Sequence, residues 1–143
     1  MLKIYLSGPI ALCDDYECKN WRNYLKEKYA GQFKFLDPMR RDYRHLDTME
    51  NISTFEEQKK IVSLDKVDIE RCDSIIVWTG APFPSVGTSM EVIYAYERGK
   101  LVVTVNPYEN TVLSPWLYFH SHKVVNTLDD GMAAILERLS DFE

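Results

Sequence analysis

The sequence predicts an α/β chain: a doubly wound, five-stranded parallel sheet with helices on both faces, forming a single domain over residues 1–143. Three observations carry this. Apolar, β-rich runs alternate with stretches of helical periodicity along the chain. The runs are apolar almost without a break, as in Ser74–Trp78 and Leu101–Val105, and strands of that kind are buried on both faces of a parallel sheet. No internal repeat, low-complexity tract or long Gly/Ser linker interrupts the alternation. Right-handed crossovers turn it into a flavodoxin-like or Rossmann-like layout, in which ligands bind at the carboxyl ends of the strands.

Lys3 to Ser7 is the first strand, ended by Gly8-Pro9. Tyr16 to Lys28 is the first helix, with Cys18, Trp21 and Leu25 on one face. Phe33 to Leu36 is the second strand, stopped by Asp37-Pro38. A polar, arginine-rich segment continues to about Ser53, and a second helix runs from about Thr54 to Arg71. The third strand, Ser74 to Trp78, leads through a loop containing Pro84-Ser85-Val86-Gly87 into a helix that reaches Arg98, with Gly99 just past its end. Leu101 to Val105 is the fourth strand, Pro107 to Pro115 a loop, and Lys123 to Val125 a short fifth strand. Thr127 caps a last helix that runs to Leu139. Gly8-Pro9, Asp37 to Arg44 and Thr79 to Gly87 all follow strands, so they converge on one rim.

Composition narrows the function. With 143 residues, 45% hydrophobic and 13% aromatic, the chain has the apolar content of a packed core. A net charge of −5 gives no electrostatic footprint for a nucleic acid polymer. No apolar run approaches the roughly 20 residues of a membrane span, and Met1-Leu2-Lys3-Ile4 enters a strand at once, without a signal-peptide layout. Cys13, Cys18 and Cys72 are odd in number and lack metal-ligand spacing, so they read as reduced thiols of a cytoplasmic protein. No metal or other cofactor is expected.

Four groups of residues carry the candidate chemistry. Glu91 sits in the first turn of the helix after the glycine loop, where free N–H groups and the helix dipole favour an anionic carboxylate. Thr88-Ser89-Met90-Glu91 also fits the S/T-x-x-E capping pattern, and the two roles are compatible. In the second helix, Ile61, Leu64, Asp65, Asp68, Ile69 and Cys72 form a stripe that two carboxylates interrupt. Either both carboxylates are half exposed or one of them reaches the ligand rim, because burial without a partner is costly. In Asp37–Arg44, the arginines Arg40, Arg41 and Arg44 suit bidentate binding of phosphate or carboxylate, and Tyr43 suits stacking on a base. The bland alternative is a solvated loop of local Arg–Asp pairs, worth little. Lastly, Ser114–His122 is too aromatic for plain solvent, and packs on the domain or on a neighbouring subunit. His122 reads as structural. The glycine loop has no G-K-[ST], no His/Cys set has zinc spacing, and no Ser/His/Asp set declares itself.

Taken together, these segments resemble the nucleoside 2-deoxyribosyltransferase family over most of the chain. The resemblance lies in Lys3-Ile4-Tyr5-Leu6-Ser7-Gly8-Pro9-Ile10, in Asp37 through Arg44, in Asp65 through Asp73, in Ser85 through Ala95 and in Ser114-Pro115-Trp116. The glycine loop with its glutamate is the specific part. Membership implies a doubly wound subunit and a retaining transfer of deoxyribose between bases. Glu91 matches the nucleophile that forms a deoxyribosyl ester, by the double displacement of retaining glycosidases. Asp65 matches the aspartate that orients the base or its proton. Asp42, Tyr43 and Arg44 match a region that contacts the nucleobase, and Ser7 and Gly8 the loop beneath the sugar. His120 falls near a position that supplies a polar group to a neighbour's site, which implies a homo-oligomer.

One residue departs from the pattern. Transferases of the family carry an aspartate where this chain has Ser85. A serine there is similar to the related deoxynucleoside 5′-monophosphate N-glycosidases, in which small hydroxyls and loop amides, here Ser85, Gly87 and Ser89, hold the 5′-phosphate. An aspartate repels phosphate and a serine donates to it. Base exchange on 2′-deoxynucleosides is therefore the first expectation and hydrolysis of a nucleoside monophosphate the second. A non-catalytic nucleotide-binding module on the same fold is the third.

Overall fold

The computed structural model describes residues 1–42, 44, 55–80, 85–108 and 111–140. The chain runs β1 (Lys3–Ser7), α1 (Asp15–Lys28), β2 (Lys34–Leu36), a 3-10 turn (Pro38–Arg41), α2 (Phe55–Arg71), β3 (Ser74–Trp78), α3 (Val86–Glu97), β4 (Leu101–Val105), α4 (Pro115–Phe119), β5 (Lys123–Val125) and α5 (Leu128–Ser140). All five strands are parallel, in the order β2-β1-β3-β4-β5. The chain winds one way from β1 to β2 and the other way from β3 onward. The crevice of such a sheet opens at the carboxyl ends of β1 and β3, where Ser7 pairs with Val77.

Alternation along β1 divides the core into two layers. Ile4 and Leu6 join Trp21 and Leu25 of α1, Met132 and Ile135 of α5, and Ile76, Val103 and Val105 of the sheet. Tyr5 faces the other way, with Ile69 of α2, Val92 and Ala95 of α3, and Ile75, Val77 and Val102. Helices thus cover both faces, as the apolar strands predict. Cys13, Cys18 and Cys72 are free and buried. No helix among the described residues is long and apolar enough to cross a membrane.

The helix ends differ from expectation for local reasons. Asp14 accepts from Glu17 N at 2.8 Å and Glu17 Oε1 from Asp14 N at 3.2 Å, so α1 starts before Tyr16. At α3 the cap is Ser85, whose Oγ accepts from Thr88 N at 3.1 Å. The helix therefore opens at Val86, the Thr88–Glu91 capping pair does not form, and Glu91 falls in the second turn, where the dipole has faded. The aromatic stretch contains α4, capped by Ser114 with Pro115 at its first position. Five residues are too few for helical periodicity to show. Gly99 takes φ +73° beyond α3, as a C′ glycine should.

Gly8, at the end of β1, is required by close packing. A Cβ there would lie 2.6 Å from Trp21 Cζ2, and Trp21 is itself stacked on Trp78 with ring centroids 5.8 Å apart. The ring must shift against that stack, so Gly8→Ala is expected to destabilise the fold by about 1–3 kcal/mol. Urea unfolding checks this through a lowered midpoint at unchanged slope.

Candidate active site

Tyr5 and Ser7, two residues apart on β1, project to the same face and meet Glu91 from α3. The Tyr5 hydroxyl donates to Glu91 Oε2, and Ser7 Oγ donates to Oε1 at 3.0 Å. Each carboxyl oxygen has one donor, and the side chain faces a cavity of about 550 Å³. Gly8, Asp65, Ser85, Gly87 and Thr88 line that cavity with it, and Ile61, Ile69, Met90 and Ile93 supply apolar walls.

Burial pushes the Glu91 carboxyl up to about 7. The Tyr5 and Ser7 donors and the charge of Arg22 oppose this, while the Asp65 carboxylate adds to it. Burial first, and then the neighbouring Glu91 charge, holds the Tyr5 phenol well above its ordinary value, so Tyr5 stays a donor. Asp65 is also raised by burial, and Arg41 opposes that rise from 2.9 Å. Asp68 Oδ2 accepts from both Arg40 Nη2 and Arg41 Nη2 at 2.6 Å. The 3-10 turn is thereby pinned to α2, and the two carboxylates that interrupt the apolar stripe are partnered.

The fold brings Glu91, Asp65, Ser7, Gly8, Ser85 and Gly87 together around this cavity. Ser89 points elsewhere: it is exposed and its Oγ donates to Ser85 O at 3.1 Å. Asp42 and Arg44 pair with each other at 2.7 Å, and Arg44 also reaches Asp15 at 2.7 Å and Cys13 O at 3.2 Å, which ties this segment to the start of α1 rather than to the cavity. Tyr43 lies outside the described residues. His120 is buried, with Nδ1 2.6 Å from Trp116 O and its ring between Tyr96 and Trp116, away from the cavity of its own chain. Among the described residues no cluster of His, Cys, Asp or Glu is arranged to hold a metal ion.

Two contributors escape the sequence reading. Tyr5 looks like one more core residue of an apolar strand, although a lone phenol two places before a serine on the same face is a visible sign. Arg22 lies within the apolar face of α1 and is completely buried.

The Glu91 proton affinity has a consequence for stability. The carboxyl titrates near 7 in the fold against an ordinary value of 4.5. Its protonation favours the fold fully below about pH 4.5, and that advantage is lost as pH rises through about 7. Glu91→Gln, neutral at every pH, is expected to gain stability over the parent at pH 8 by up to about 3 kcal/mol and to gain none at pH 4. Urea unfolding at both pH values measures it; an equal gap at the two would contradict the shift.

The family model described as nucleoside 2-deoxyribosyltransferase like matches residues 1–108, a span that includes Tyr5, Ser7, Asp65, Ser85 and Glu91. Among solved structures the fold is similar to a 2-deoxyribosyltransferase from Bacillus psychrosaccharolyticus, with TM-score 0.70 and 20% identity over 90% of this chain and 88% of that one. It is similar to a conserved protein from Enterococcus faecalis V583, with TM-score 0.66 and 16% identity over 96% and 99% of the two chains. It is also similar to a CMP N-glycosidase from Clostridium botulinum, with TM-score 0.52 and 18% identity over 94% and 98%. At these identities the likeness is one of fold. No curated protein matches the sequence. With the family model matched over most of its length, the chain belongs to the nucleoside 2-deoxyribosyltransferase like family.

Proposed function

We propose that this chain is a nucleoside 2-deoxyribosyltransferase that exchanges the base of 2′-deoxynucleosides. The observation that supports it is Glu91, held by two hydroxyl donors at a cavity of nucleoside size. An ionised Glu91 oxygen attacks C1′, the N-glycosidic bond breaks, and its electron pair leaves with the base. The result is a deoxyribosyl ester of Glu91. Asp65, raised by burial and lining the same cavity, suits handling the proton that the departing base takes up. A nitrogen of the second base then attacks C1′ and releases the carboxylate, and two inversions retain configuration. Tyr5 and Ser7 orient the carboxylate throughout. The Clostridium botulinum and Bacillus psychrosaccharolyticus proteins carry activities of this chemical class on a similar fold.

A second reading, hydrolysis of the N-glycosidic bond of deoxynucleoside 5′-monophosphates, is favoured by Ser85. Ser85 lines the cavity and its Oγ accepts from Thr88 N, and a hydroxyl so placed can also donate beside the amides at the start of α3. Among the described residues a Cβ on Gly87 would meet nothing nearer than Ser85 Oγ at 3.9 Å, which suits a phosphate at this corner. The reading takes residues 1–143 as one cytoplasmic domain. It also takes the exposed Trp116, Tyr118 and Phe119 of α4, near His120, as the contact with another copy in a homo-oligomer.

Incubation with deoxyadenosine and excess cytosine discriminates between these readings. Exchange yields deoxycytidine; hydrolysis yields only base and sugar, and parallel reactions with 5′-monophosphates place the substrate class. Glu91→Gln should fold and lose at least about a thousandfold in rate. A parent that turns over none of these substrates, with Glu91→Ala binding them as the parent does, leaves a non-catalytic binding module. Since the free carboxyl titrates near 7 and must be ionised to attack, kcat/KM should rise with pH along an acid limb centred near 7. A flat profile between pH 5 and 8 would remove Glu91 from the nucleophile's role.

A further inference from the structure

Arg22 is the largest side chain that the fold buries completely among the described residues. A guanidinium in a core costs several kcal/mol unless it is paired, and an apolar residue of similar volume often serves stability as well or better. Its partners therefore indicate what the charge is for. Nη1 donates to Cys18 O, and Nη2 donates to Gly8 O at 3.0 Å and Leu6 O at 3.5 Å. Those two β1 carbonyls flank Ser7, the residue that donates to Glu91. Nε lies 3.5 Å from Asp37 Oδ1, and the guanidinium carbon lies 4.5 Å from the centroid of the Trp21 ring. Asp37 in turn accepts from Met39 N at 2.9 Å and so caps the 3-10 turn that delivers Arg41 to Asp65. Arg22 thus braces the Ser7–Glu91 branch of the site and, beside Lys26 whose Nζ meets Asp37 Oδ2 at 2.6 Å, adds its charge to the Asp37–Arg41–Asp65 branch.

The groups that bear on Glu91 come from three elements: Tyr5 from β1, Asp65 from α2 and Arg22 from α1. Asp65 opposes ionisation, and the Tyr5 hydroxyl and the Arg22 charge favour it. We propose that Arg22 is a positioning residue of the active site, locking Ser7 beneath Glu91 by holding the carbonyls on either side of it. Its kinetic consequences rest on Glu91 acting as the nucleophile; its effect on the Glu91 carboxyl does not.

The test follows the Glu91 carboxyl by 13C NMR, assigned with Glu91→Gln, together with pH profiles of kcat/KM and thermal unfolding. It compares the parent with Arg22→Gln and Arg22→Lys. Arg22→Gln removes the charge and is expected to raise the Glu91 midpoint by about 0.5–1 pH unit, with the acid limb of kcat/KM moving up in step. Arg22→Lys keeps the charge, but one ammonium cannot span two carbonyls and Asp37. Its midpoint should stay near the parent's while kcat falls roughly tenfold. A lower unfolding temperature with the Glu91 midpoint and kcat unchanged overturns the proposal and makes Arg22 a structural residue. If Arg22→Gln does not fold, Arg22→Lys decides, and parent-like kcat overturns the proposal. A parent without turnover ends the enzymatic reading, and the NMR midpoints still judge the Arg22 charge.

Discussion

The site depends on the grip of two β1 hydroxyls on one carboxyl group. Glu91 lies in the second turn of α3, beyond the strong part of the helix dipole, and its surroundings otherwise resist a negative charge. Tyr5 and Ser7 meet both oxygens, so the side chain is oriented whether or not it carries a proton. Everything around them maintains that geometry. The switch between β1 and β3 opens the crevice, and α3 stands over it on the Val92 and Ala95 face. The tight approach of Trp21 to Gly8 leaves the end of β1 little room to shift.

Charge in this molecule is spent on architecture at the rim. Of the arginine island, Arg40 and Arg41 are committed to Asp68 and Asp65 on α2, and Arg44 to Asp42 and Asp15. The exposed Arg44 pairs add little stability. The Arg41 pairs are more enclosed, and they set where Asp65 sits relative to Glu91. A carboxylate that needs an arginine to hold it in place and a carboxyl that needs hydroxyls to ionise make an asymmetric couple.

Much of this was legible beforehand, because strand–helix alternation and apolar continuity are properties of short windows. The five strands, the long helices and the Gly99 terminator all follow from local pattern. What escaped depends on choices between neighbours. Ser85 rather than Thr88 caps α3 because its backbone is extended at φ −109°, ψ 119°, and a cap pattern in a sequence does not reveal which hydroxyl is extended. Five residues of α4 complete too little of a turn pattern to register. Tyr5 hid among aliphatic neighbours, and Arg22 hid on an apolar helix face, since Tyr5 meets Glu91 of α3 and Arg22 meets the Gly8 carbonyl only once the chain is folded. The pairing of Arg40 and Arg41 with α2 likewise joins residues far apart in the sequence.

The Trp21–Trp78 stack gives the molecule a built-in optical reporter. Trp21 is enclosed and rests directly against Gly8, which floors the cavity, whereas Trp116 stands 71% exposed on α4. Indole emission from the two environments separates by wavelength, blue for the enclosed ring and red for the wetted one. Any guest that presses on the Gly8 peptide is felt by the stacked pair, and anything that covers α4 is felt by Trp116. A guest in the cavity and a cover over α4 therefore leave separate spectral traces in the unlabelled protein.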